Sequence, residues 1–256
     1  MKHPTSLFPI ALALGAVIAP GQGAQAAPIP ITTCQTISHP GSYVLEKRSE
    51  HHWRLPGDQR RLCHDRPRRF RDHGLTARGI AIIAAGANPP PGSPLPTSTR
   101  FSGLAVRNGS ISNFAGGVVF DTADGSVVEG LRIEALEGIR ARGIVRNNTV
   151  LNVGVPAGAG IVASGIVTDN YVRGFFRGSG ISADGTIRGN IVLDSGAGLF
   201  VSAGSTVIGN TAMGNSNGGI GAVCPSNLID NTAVGNGSFN LSIGSDCLNV
   251  NNLGAP

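Results

Sequence analysis

Val145-Arg146-Asn147-Asn148-Thr149-Val150, Val167-Thr168-Asp169-Asn170-Tyr171-Val172, Ile187-Arg188-Gly189-Asn190-Ile191-Val192, Val207-Ile208-Gly209-Asn210-Thr211-Ala212 and Leu228-Ile229-Asp230-Asn231-Thr232-Ala233 are five copies of one phrase, and a degenerate copy runs from Val128 to Ile133. The asparagines Asn148, Asn170, Asn190, Asn210 and Asn231 recur at intervals of 22, 20, 20 and 21 residues. A fixed period of this size marks a stacked repeat architecture. β-Branched residues alternate within each copy, and helical periodicity is nearly absent, so each unit reads as one coil built of short strands. Gly and Asn stand where the chain must turn, because both tolerate a positive φ. The five asparagines are expected to form a structural ladder, each side chain bonding the backbone of a neighbouring coil and satisfying polar groups that a tight corner would bury unpaired. The predicted fold is all-β: a single-stranded right-handed parallel β-helix, a solenoid of about 20-residue coils.

The repeat between about Phe101 and Cys247 resembles the right-handed parallel β-helix repeat proteins of the pectin-lyase-like class, over more than half of the chain. That resemblance implies the fold and leaves the chemistry open, since similar coils serve polysaccharide lyases, glycoside hydrolases, epimerases, phage tailspikes and adhesins.

Composition agrees with one solenoid: 256 residues, 38 of them Gly, 14% charged and 5% aromatic. The basic start Met1-Lys2-His3, the apolar run from Leu7 to Ile18 and the small residues Ala24-Gln25-Ala26 read as a signal peptide over 1–26, which predicts a secreted protein, periplasmic, extracellular or at the cell surface. The apolar run is too short to span a bilayer, and no later segment qualifies, so no membrane span is expected. Export permits a disulfide. Cys224 and Cys247 are 23 residues apart, about one coil, and stacked strands bring such positions within bonding reach.

Residues 27–46 read as an N-terminal strand or cap, and 76–100 as an early coil interrupted by the Pro-rich loop from Ala87 to Pro96. Between them, 47–75 does not belong with its surroundings. It carries nine of the twenty Lys and Arg, four of the six His and the only Trp, Trp53. Nine basic residues against four acids give +5, the net charge of the entire chain, so the solenoid itself is close to neutral. A basic arm for nucleic acid and a metal site at His51, His52, Cys63 and His64 are two readings of this segment, although the spacing fits no zinc pattern. A frameshift accounts for more of it. Read from the second base of a permitted choice of codons, Arg48 to Gly74 can encode DLSTTGDCLVINADFVTIDLGGFVITG without a stop, and this peptide has the alternating strands that the written sequence lacks. It would place a cysteine at position 55 as the partner of Cys34 and make Cys63 unintended. On this reading the segment is disordered or loosely attached, no nucleic-acid partner is expected, and no metal or other cofactor is called for.

A lyase of this fold class needs clustered carboxylates to hold a cation at a uronate, and a hydrolase needs a carboxylate pair. Stacked coils would supply either by placing acids in one register. Asp169 and Asp230 precede a ladder Asn, but the two coils between them have Gly189 and Gly209 there; Asp184 aligns with Ser164 and Gly204, and Asp194 with Gly174 and Gly214. No acid stacks on another. Glu129, Glu134 and Glu137 beside Arg132, Arg140 and Arg142 read as solvated ion pairs. Arg173, Phe175, Phe176 and Arg177 form the candidate ligand-binding patch, since aromatic rings and guanidinium groups stack on and hydrogen-bond a sugar. The competing reading places Phe175 and Phe176 at a coil corner with one ring buried. Function is therefore expected to be that of an exported non-catalytic β-helix, structural, adhesive or polysaccharide-binding; the alternative is a carbohydrate-active enzyme, lyase or glycoside hydrolase, whose site is dispersed.

Overall fold

A computed structural model describes residues 29–31, 42–45, 80–83, 101–120, 123–154 and 158–254. The signal peptide, the anomalous segment 47–75, Cys34, Cys63 and the Pro-rich loop lie outside the described residues.

One turn of the chain shows the building rule. Ser179–Arg188 bends at Asp184-Gly185 into two straight pieces, and Ile191–Leu193 adds a third side. Every piece pairs in parallel with its equivalent one turn later: Ile181 with Leu199, Ile187 with Val207 and Val192 with Ala212. The result is a three-sided parallel β-solenoid of about seven turns, spaced about 21 residues apart, with no helix among the described residues. The side containing Ile181–Asp184 is called here the first face, that of Thr186–Arg188 the second, and that of Ile191–Leu193 the third.

Alternation along each strand sends every second side chain inward. Stacking then collects equivalent residues into continuous columns. Ile139, Ile161, Ile181, Leu199 and Ile220 line the interior of the first face, Val145, Val167, Ile187, Val207 and Leu228 the second, and Val150, Val172, Val192, Ala212 and Ala233 the third, all buried. The expected alternate β-branched positions are these columns. Burying them supplies most of the drive for folding, because each aliphatic side chain removed from water contributes roughly 1.5–3 kcal/mol.

The corners carry the polar chemistry. Immediately before each ladder position the backbone is left-handed: Asn147, Asp169 and Asp230 at φ 55°, Gly189 at 64° and Gly209 at 62°. Asn, Asp and Gly are the residues that accept this conformation most readily, which explains why a position so variable in charge is so restricted in type. The next residue turns its amide inward. Backbone N and Nδ2 of Asn170 both donate to Oδ1 of Asn190, at 3.0 and 2.9 Å, while Nδ2 also donates to the Val145 carbonyl. Asn148, Asn190 and Asn210 repeat the arrangement toward Asn170, Asn210 and Asn231. All five predicted asparagines are buried and in line.

The ladder is longer than the sequence reading. Asn231 donates in the same way to Asn252, so there are six members. At the opposite end, Leu131 occupies the ladder position in the degenerate copy, its backbone N donating to Asn148 Oδ1. A second ladder runs up the corner between the third and first faces: Phe175 N donates to Ser195 Oγ, Ser195 N to Asn215 Oδ1, and Asn215 N to Asn236 Oδ1. A shorter hydroxyl ladder at the remaining corner joins Gly185 N to Ser205 Oγ and Ser205 N to Ser226 Oγ. Cys224 and Cys247 are bonded as expected, with a Cα separation of 5.0 Å, tying the last described turn to the one before it.

Candidate functional site

The patch of Arg173, Phe175, Phe176 and Arg177 is split by the fold. Arg173 ends a strand on the outside of the third face and donates from Nε to Asp194 Oδ2 at 2.7 Å. Asp194, with a lesser contribution from Tyr171, holds the guanidinium pKa above its usual value. Both partners are exposed, so this contact orients Arg173 more than it stabilises the fold. Phe175 points inward and is buried, its ring beneath Gly160 and its backbone in the second ladder. Phe176, by contrast, is 60% exposed, and Arg177 beside it is exposed as well. Phe175 is thus core and corner, and the surface that could meet a ligand at this corner is Phe176 and Arg177 with Arg173 nearby.

The acids are dispersed along the rod. Asp169, Asp194 and Asp230 all occupy left-handed corner positions, each equivalent to a glycine in an adjoining coil. Glu129 sits between two guanidinium groups, Arg107 at 3.2 Å and Arg146 at 3.0 Å. Its neighbours in the stack supply the pairing. Arg132 holds Glu134 at 2.8 Å, and Arg140 lies 3.7 Å from Glu137. Among the described residues no three His, Cys, Asp or Glu side chains gather to hold a metal ion, and no helix is long and apolar enough to cross a membrane.

One polar column has a member that the sequence reading left out, Arg142. Arg142 pairs with Ser164, and Ser164 with Asp184, in successive strands of the first face. Ser164 Oγ donates to Asp184 Oδ2 at 2.8 Å. The adjacent outward column holds Arg140, Val162, Ser182 and Phe200, again in register. The position six places before a ladder Asn already aligned Asp184 with Ser164 in the sequence, and carrying the same count back from Asn148 would have added Arg142.

No family model, curated protein or solved structure matches this chain.

Proposed function

We propose that this protein is an exported, non-catalytic β-solenoid that binds polysaccharide or serves as a structural or adhesive rod, built on a right-handed coil of the pectin-lyase-like kind. What supports this reading is the isolation of its carboxylates. Glycoside hydrolysis requires two carboxyl groups roughly 5–10 Å apart, one of them kept protonated or activated by its surroundings. In the described solenoid, no acid occupies the same register as an acid in the next coil. Glu129, Glu134, Glu137 and Asp194 are each held by arginine, and Asp184 accepts from a serine.

Incubating the protein with a panel of acidic and neutral polysaccharides, and measuring unsaturated products and new reducing ends, tests the reading. The expected result is retention without turnover. Turnover that disappears on Asp169→Asn or Asp184→Asn substitution would overturn it in favour of a carbohydrate-active enzyme.

A further inference from the structure

We propose that the outside of the third face is a self-association surface, on which a second copy of this chain packs side by side, the two rods parallel and related by a twofold axis along their length. The proposal stands apart from any binding of polysaccharide and concerns a different side of the rod from Phe200 and Asp184.

Each strand of this face shows two residues to the outside, one on either side of the buried residue in its middle. Register stacks them into two columns along the rod. Arg132 and Glu134 hold these places near one end. Over Ile191–Leu193, Thr211–Met213 and Thr232–Val234 the outward residues carry no charge, and Ile191 and Met213 are 41% and 45% exposed. A run of uncharged, partly apolar side chains on successive strands is a surface that gains from being covered.

Charge complementarity identifies the occupant. A twofold axis along the rods keeps the height of every strand and reverses its direction, so the first outward residue of a strand meets the last one of the same strand in the second copy. Arg132 then meets Glu134 of the second copy, and Glu134 meets its Arg132. The pair that lies 2.8 Å apart within one chain becomes an alternating group of two guanidinium groups and two carboxylates. Arg173 comes against the ring of Tyr171, a cation beside an aromatic face. Ile191 covers Leu193, and Thr211 covers Met213. The corners agree with this arrangement: Asp169 comes opposite Gly174, Asp194 opposite Gly189, and Asp230 opposite Gly235, all at equivalent left-handed turns. No acid faces an acid. Rods packed in opposite directions lose the match, because each column then lies on itself and Arg132 is set against Arg132 or against apolar strands.

The dimensions set the strength. From the strand holding Arg132 to Thr232–Val234 the columns climb in inter-strand steps of about 4.8 Å, roughly 24 Å in all. A strip of that length and one short strand wide buries about 1,000 Å² in total, near the lower limit for a specific contact. Association is therefore expected in the micromolar range. Access is open at the margins, since a Cβ added at Gly209 or Gly235 would meet no heavy atom within 4 Å, and a flat partner can approach past both corners.

Sedimentation velocity of the full chain, from about 1 to 200 μM, is expected to show a monomer–dimer equilibrium. Met213→Lys should raise the dissociation constant about tenfold or more, while Phe200→Ala on the first face should leave it within about twofold. Arg132→Glu should weaken the dimer, and the double variant Arg132→Glu/Glu134→Arg should restore it, since the two places exchange across the axis. All these side chains point outward, so unchanged melting separates a lost contact from a lost fold. Orientation is read with a short bis-maleimide: a mixture of Thr211→Cys and Met213→Cys chains should cross-link more than either variant alone. A monomer at every concentration, or a dimer indifferent to Met213→Lys, would overturn the proposal. Cross-linking confined to the Met213→Cys variant with itself would overturn it as well, in favour of antiparallel rods.

Discussion

Asn170 gives two hydrogen bonds to a single oxygen, Oδ1 of Asn190, one from its backbone and one from its side chain. Truncating the acceptor therefore orphans more than one group. In Asn190→Ala, the Asn170 N–H, one Asn170 amide hydrogen and the Val167 carbonyl all lose a buried partner. At about 1–3 kcal/mol for each unsatisfied group, the expected loss is about 3–5 kcal/mol in urea unfolding. Asn190→Ser should recover part of it, because a hydroxyl fills the equivalent role at Ser195 and Ser205. Faster amide hydrogen exchange at Asn170 in the alanine variant would localise the damage.

Gly209 separates backbone conformation from packing. Its φ is 62°, and an added Cβ would meet nothing within 4 Å. Gly209→Ala is expected to cost about 1–2 kcal/mol, purely for holding an L-residue in the left-handed region, while Gly209→Asn should cost less. A melting series of the two variants checks the order; equal stability of Ala and Gly at this position would contradict the assigned conformation.

Gly178 is the opposite case. Its φ is not positive, yet a Cβ there would fall on the carbonyl oxygen of Gly158 in the adjoining coil. Backbone cannot yield as a flexible side chain does, so Gly178→Ala should separate two coils locally and cost about 3 kcal/mol or more, in the range of overpacked cores. Proteolysis near residues 174–180 would accelerate with it.

Closing a loop of 23 residues, the Cys224–Cys247 bond is expected to contribute about 3 kcal/mol by the chain-entropy account. Contacts in a solenoid are to adjacent coils, so the loss on reduction should be local before it is global. Hydrogen exchange after reduction, or in the Cys224→Ser/Cys247→Ser double variant, should rise first over Phe239–Ile243 and Leu248–Val250, with Ile181–Ala183 unaffected.

The main ladder was legible because one chemical solution recurs at one spacing, and five identical residues betray the period. The second ladder was not, since its successive members are Phe175, Ser195, Asn215 and Asn236. Geometry there repeats while residue type does not. Asn252 escaped notice because its copy opens on Asn249, where the other copies open on Val, Ile or Leu. The Glu129–Arg146 pair was missed for a different reason: the coil from Glu129 to Arg146 spans only 17 residues, so a count by the usual period points past Arg146. Sequence spacing also foresaw that one ring of the Phe175-Phe176 pair would be buried, but only packing shows that it is Phe175. The Ser164–Asp184 alignment was legible from the period, while Arg142 joins that column only once register is known.

Each amide in the main ladder faces the same way, its oxygen toward the preceding coil and its nitrogen toward the following one. Such a head-to-tail series is indifferent to how many members it has. Excision of 191–210 would splice Asn190 to Thr211 and hand Asn231 to Asn190 as its new acceptor, with every donor still matched. Length is thus an adjustable quantity in this molecule: whole units can be inserted or removed while the junction chemistry stays unchanged, provided that each unit brings its own asparagine.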